Sequence, residues 1–263
     1  MIKIENMNKL FGEVLVLNNI SFEIKAGEFV AIMGASGSGK STLLYSISGM
    51  DSISEGRVLF DATDISKMSE KKLSEFRLGQ MGFVFQNSQM LKNLSILDNI
   101  ILPGLVAKKE SANNIRKYAL ELMKKMEIEG IENRDIKEVS GGQLQRASIC
   151  RAMINHPRIL FLDEPTGALN SDASNQVLEI LEELNKEGMT IMTVTHDSKV
   201  AARAKKVIYI KDGQIADYKE FQSDENRVAD LEEWLSTITR PGITVLMQFK
   251  HDLPAANPGA YHC

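Results

Sequence analysis

Four stretches of the chain are built on continuous apolar runs: FVAIMG, MGFVFQ, RILFLDEP and MTIMTVTHD. Runs of this length suit strands covered on both faces, as in a parallel sheet. The sequence opens on the β-like runs IKIENMNKLF, SFEIK and EFVAIMG, punctuated by Gly12 and Gly27. KSTLLYSISGM then reads as a helix ended by Gly49, GRVLFDATDIS as a strand and turn, and SEKKLSEFR as a short polar helix. Over residues 87–156 the pattern turns helical. There NIRKYALELMKKMEI sets Ile115, Leu120, Leu122, Met123 and Met126 near a 3–4 spacing with charges between. SDASNQVLEILEELNKEG predicts an amphipathic helix capped by Ser171 and closed by Gly188. KKVIYIKDGQIADY predicts a hairpin turning at Asp212 and Gly213, and ENRVADLEEWLSTI a terminal helix. After it the period is lost and three prolines appear, so residues 240–263 read as a loosely attached tail.

Strands alternating with helices imply an α/β fold around a parallel sheet. The 263 residues, 43% hydrophobic and 25% charged, give length for one large core with a subdomain. A formal net charge of −4 argues against a nucleic-acid surface. The two cysteines, Cys150 and Cys263, form no disulfide framework, and Cys150 reads as a small buried side chain. The four histidines are scattered without metal-ligand spacing. The longest apolar candidate, ILDNIILPGLV, is interrupted by Asp98, Asn99 and Pro103, short of the roughly 18 residues a membrane span needs. MIKIENMNKL has no signal-peptide core, so the expected location is cytoplasmic.

Chemistry concentrates in three places. GASGSGKS matches G-x-x-x-x-G-K-[ST] with a strand before it and a helix after it, the context a phosphate loop requires. Its glycines let backbone amides face a phosphate, Lys40 can reach terminal phosphate oxygens, Ser41 can ligate Mg²⁺, and Thr42 can help hold phosphate. ILFLDE places Asp163 and Glu164 at the end of a buried strand, where α/β folds bind ligands. Asp163 suits the Mg²⁺ shell and Glu164 a general base on water. SGGQLQR, residues 140–146, reads as a second helix start with bare N–H groups that suit an anion.

VSGGQLQRASICRAMINHPRILFLDEPTGALN resembles, nearly residue for residue, the signature-to-Walker-B block of ATP-binding-cassette (ABC) ATPases. With GASGSGKST, GFVFQ and VTHD, the resemblance covers residues 1–218. MGFVFQNSQMLKNLSILDNIILP and DEPTGAL are similar to the macrolide-efflux, lipoprotein-release and antimicrobial-peptide-export group. The resemblance implies a P-loop NTPase (RecA-like) core, an antiparallel β subdomain and an inserted α-helical signature subdomain at 87–156. The ATPase domain would run over 1–222 and a C-terminal helix over 223–239.

It also implies a head-to-tail dimer. Gly34, Ala35, Ser36, Gly37, Ser38, Gly39, Lys40, Ser41 and Thr42 would hold ATP. Ser140, Gly141, Gly142 and Gln143 would close over the ATP of the partner copy. Gln86 resembles the Q-loop residue that touches Mg²⁺ or the attacking water. His196 resembles the switch histidine on the γ-phosphate, and Phe11 stands at the adenine-stacking position. Asn170 stands where the family usually has Asp at the dimer cross-talk position. ATP and Mg²⁺ are the implied cofactors, and an integral-membrane permease is the implied partner, holding the chain at the cytoplasmic face of the membrane. Export or extraction of antimicrobial peptides, lipids or other amphiphiles is the implied work. The alternative is a permease that signals or regulates cell-wall enzymes without moving cargo. Rival P-loop readings lack their marks: no long coiled-coil or zinc insertion, one motif set rather than two, and NKEG at Asn185 without the Asp of a guanine-reading N-K-x-D.

Overall fold

The computed structural model describes residues 1–223 and 225–239, so the tail at 240–263 lies outside the described residues. In chain order the elements are β1 (Ile2–Phe11), β2 (Val14–Ile24), β3 (Phe29–Gly34), α1 (Lys40–Ile47), β4 (Glu55–Phe60) and β5 (Thr63–Asp64). Next come α2 (Glu70–Gln80), β6 (Met81–Phe85), α3 (Ile96–Ala107), α4 (Ala112–Lys125), α5 (Gly141–Met153) and β7 (Ile159–Asp163). The chain continues through α6 (Ser171–Lys186), β8 (Thr190–Val194), α7 (Ser198–Ala201), β9 (Lys206–Lys211), β10 (Gln214–Glu220) and α8 (Arg227–Ile238).

Two sheets form. One is four-stranded, β2-β1-β4-β5, with antiparallel pairing throughout. The other has six strands in the order β10-β9-β3-β8-β7-β6. Its inner pairs are parallel, and β10 closes one edge antiparallel to β9. The four apolar runs are four of its six strands, β3, β6, β7 and β8, and every residue of β3 and β8 is buried. Alternation along them divides the core in two. Val30, Ile32, Phe161, Met192 and Val194 meet α1 through Leu43, Leu44 and Ile47, with Ile4, Met7, Leu17 and Phe60 of the smaller sheet beyond. Ala31, Met33, Leu160, Leu162 and Ile191 face α5 through Ala147, Ile149 and Cys150, with α3, α4 and α6 behind. Thus α1 and α5 are rooted on opposite faces of one sheet. Burial pushes the Cys150 thiol far above its ordinary range, which suits its reading as a packing residue.

The structure corrects three expectations. Leu120 is exposed, and the apolar face of α4 runs through Ile115, Ala119, Leu122 and Met123 instead. The N-cap of α6 is Asn170, whose Oδ1 accepts from Ala173 N at 2.9 Å, so Ser171 is the first helical residue. The segment 87–106 reads from the sequence as a candidate permease-docking surface with Met90, Leu91, Leu94 and Ile96 exposed, but Met90 and Ile96 are buried. Asn99 turns them inward. It is 1% exposed, accepts from Leu91 N at 2.7 Å, and donates to the carbonyls of Leu91, Leu94 and Ser95. Pro103, an interruption in the sequence, lies within α3. At the other end of the chain, Leu231 and the Trp234 indole fasten α8. The indole N–H donates to Asp217 on β10 at 3.0 Å.

Candidate functional site

The loop after β3 leads directly into α1, whose N-cap Gly39 offers no side-chain cap. The first-turn N–H groups therefore stay open toward the loop, at the positive end of the helix dipole. A cavity of about 540 Å³ opens there, lined by Gly34, Ala35, Ser36, Gly37, Gly39, Lys40, Ser41 and Thr42, with Val16, Glu164 and His196. Lys40 Nζ folds back to donate to the carbonyls of Gly34 at 3.0 Å and Ala35 at 2.9 Å. Gly34 is a point of close approach: a Cβ there would lie 2.3 Å from Ile210 O and 2.6 Å from Ser38 Oγ. Ser38 Oγ is itself buried without a hydrogen-bond partner.

At the end of β7, Asp163 accepts from Ser41 Oγ at 3.1 Å on one oxygen and from the Tyr45 hydroxyl at 2.7 Å on the other. Burial first, then the Asp163 hydrogen bond, pushes the Tyr45 phenol up to about 12, so near neutral pH it stays a protonated donor. Glu164 follows in the left-handed region at φ 47°, an uncommon conformation for a non-glycine residue. That backbone aims its carboxylate at β8. One oxygen accepts from Thr195 Oγ1 at 3.0 Å, and the other lies 2.7 Å from His196 Nδ1. The Glu164 side chain is 18% exposed and His196 72% exposed, so the imidazole is the outward partner.

The fold thus brings Lys40, Ser41, Thr42, Asp163, Glu164 and His196 together. Other expected site residues stand apart from the cavity lining. Gln86 follows β6 one strand over, where Phe85 pairs with Asp163, and its exposed amide packs on Gly167. Phe11 is half exposed with the Lys9 ammonium 4.5 Å from its ring centroid, while Val16 occupies the lining. Ser140, Gly141, Gly142 and Gln143 form the first turn of α5 and line no part of this cavity. Ser140 Oγ accepts from Gln143 N at 3.2 Å and Gln143 Oε1 accepts from Ser140 N at 3.0 Å, a reciprocal capping box. Gly141 and Gly142 N–H are left without an intrahelical acceptor. Asn170 serves α6 as the cap that an Asp would also provide.

Sequence reasoning missed Tyr45, Thr195 and Val16. Tyr45 follows Ser41 by one helical turn, so the i, i+4 spacing on α1 is the signal that could have found it. Thr195 lies inside VTHD, and Val16 had no sequence signal.

A strand, an open amide loop, a lysine folded over that loop and a paired Ser41–Asp163 define a P-loop nucleoside triphosphatase. The family profile described as ABC transporter matches residues 17–167, and the chain belongs to that family as an ATPase cassette. It is 43% identical over 231 residues to a macrolide export ATP-binding/permease protein of Mannheimia succiniciproducens, covering 86% of this chain and 36% of that one. It is 40% identical over 241 residues to a bacitracin export ATP-binding protein of Halalkalibacterium halodurans, covering 88% and 93%. The dimeric structure of an ABC transporter cassette of Methanocaldococcus jannaschii matches with a TM-score of 0.79 and 39% identity, covering 85% of this chain and all of that one. A dimer of the same cassette in a post-hydrolysis state, bound to ADP and phosphate, matches at 0.78. The chain spans about a third of the length of the macrolide export relatives. No helix among the described residues is long and apolar enough to cross a membrane.

Proposed function

We propose that two copies of this cassette pack head to tail, sandwich Mg²⁺-ATP at two shared sites, and drive a membrane permease from its cytoplasmic face. The observation that carries this reading is an incomplete pocket. The cavity has a loop, a Lys40, a carboxylate pair and a His196 on one side, while the second anion-suited helix start, at Ser140, lies outside it. A second copy facing the first supplies that half, and the dimeric cassette of M. jannaschii bound to ADP and phosphate supports the arrangement. Ser41 and Asp163 fit Mg²⁺, since their oxygens already lie within a hydrogen bond of each other and present a single negative charge. Magnesium binds through one or two carboxylates together with substrate phosphates. The ion would neutralise charge developing on the phosphates. Within the chain, Lys40 exchanges the Gly34 and Ala35 carbonyls for phosphate oxygens. Glu164 orients water and takes its proton, Thr195 fixes that carboxylate, and His196 turns from Glu164 toward the γ-phosphate. Gln86 touches the same water or metal, Phe11 stacks on adenine, and Asn170 lies at the contact between the two sites. The cassette domain would occupy 1–222, with 223–239 as an appended helix.

The relatives named for macrolide and bacitracin export support an amphiphile as the cargo. Two tests apply to the shared site. Ser140→Arg and Lys40→Ala chains should each be nearly inactive alone. Mixed in equal amounts they should regain up to about a quarter of the parent rate, because one of two sites survives in each mixed dimer of a two-fold assembly. Mixtures no more active than either parent would refute sharing. Tyr45→Phe removes one oxygen from behind Asp163. It should raise the Mg²⁺ concentration for half-maximal hydrolysis by about tenfold, since outer-shell partners hold metal ligands in place. Binding titrations should lose the same factor from the Mg²⁺-dependent gain in nucleotide affinity. An unchanged Mg²⁺ requirement would remove Tyr45 from the site.

A further inference from the structure

The side chain of Gln145 joins three parts of the molecule that the reaction must coordinate. It lies on α5 beyond the Ser140 turn and is 3% exposed. Its Nε2 donates to Phe85 O at 3.2 Å and to Pro165 O at 2.8 Å. Phe85 immediately precedes Gln86, and Pro165 immediately follows Glu164. One amide nitrogen therefore ties the helix that begins at Ser140 to the backbone beside both residues assigned to water. The same helix holds the far side of the Gln86 loop. Arg151 donates to Ser88 O at 2.5 Å and to Gln89 O at 2.8 Å. The backbone on either side of Gln86 is thus clamped by α5, while its exposed side chain lies against Gly167. The front of α5 is equally close to α6: a Cβ on Gly142 would lie 2.9 Å from Ala173 Cβ, on the turn that Asn170 caps.

We propose that Gln145 is a positioning residue that carries the seating of Ser140 on the partner's nucleotide to Gln86 and Glu164 of its own chain. The proposal rests on the shared-site reading above. A primary amide suits the task because both hydrogens of its NH₂ can be given to carbonyls while the group stays neutral. A carboxylate of equal size would face two carbonyl oxygens with no donor, and an apolar side chain would take this donor away from both carbonyls. A shift of α5 toward a γ-phosphate then pulls Phe85 and Pro165 together. The two residues that handle water would reach working geometry only when the opposite site is filled.

The test uses Glu164→Gln chains carrying Gln145→Leu or, as an isosteric second variant, Gln145→Glu. Dimer formation in Mg²⁺-ATP is followed by size exclusion, and backbone hydrogen exchange is followed over residues 85–90 and 164–168. With Gln145 present, dimer formation should slow exchange in both segments. Without it, the dimer should still form and both segments should exchange as they do in the monomer. On the Glu164 background, each Gln145 variant should lower kcat by about tenfold while nucleotide affinity of the monomer changes by less than about twofold. Protection at both segments equal to that with Gln145 would overturn the proposal. Failure of both variants to fold would also overturn it, by making the residue purely structural. Failure of Glu164→Gln alone to dimerise would instead reject the shared-site reading.

Discussion

Glu164→Gln should bind ATP with unchanged affinity, hydrolyse it at least about 100-fold more slowly than the parent, and elute as a dimer in Mg²⁺-ATP. The substitution keeps the length of the side chain and its Thr195 partner, because the amide oxygen can accept that hydroxyl as the carboxylate does. It removes the atom able to take a proton from water. General-base contributions of 10²–10⁴-fold are ordinary, so hydrolysis becomes far slower than dimer separation. It also removes a negative charge from beside a polyphosphate, which favours closure. In the proposed sandwich, the γ-phosphate that Ser140 and the Gly141 and Gly142 amides would engage is then retained, and the two copies stay together. A monomer at saturating Mg²⁺-ATP would contradict this account.

The second large effect falls on the loop itself. Gly34→Ala should lower nucleotide affinity by on the order of 100-fold, the scale that follows a misplacement of about 1 Å. The added methyl would meet Ile210 O at 2.3 Å, a backbone atom of β9 that cannot swing aside, and Ser38 Oγ at 2.6 Å. Either β9 or the loop must shift, and the loop is the softer of the two. Overpacking of this kind should also destabilise the fold by about 1–3 kcal/mol. Nucleotide titration and a thermal melt on the same sample check both numbers. Parent-like affinity would mean that the cradle tolerates a rearrangement its geometry disfavours.

Much of this site was legible because its chemistry is local. The loop, Lys40 and Ser41 sit within one strand-turn-helix, and Asp163 and Glu164 end a run whose burial is written in its composition. What was not legible depends on contacts between distant residues. The Tyr45–Asp163 bond spans a separation of 118 and Gln145 reaches Phe85 across 60, and neither has a local mark. The helical subdomain misled for a different reason. The sequence pattern took in Leu120 and passed over Ala119, yet Ala119 is fully buried and Leu120 is 39% exposed. Met90 and Ile96 looked like part of an exposed docking surface, and the buried Asn99 amide, bonded to the Leu91 N–H and carbonyl, marks where that segment folds in. Asn170 was read for its missing charge, whereas the hydrogen bond it makes as a cap needs only the oxygen it retains.

The rooting of α1 and α5 on opposite faces of one sheet has an economic consequence for a cell. A lone polypeptide built this way cannot turn both helix ends onto a single triphosphate without tearing its own core. On the shared-site proposal, copies that drift apart would thereby be silenced, with no inhibitor required. ATP hydrolysis would then be confined to places where something holds two of them face to face.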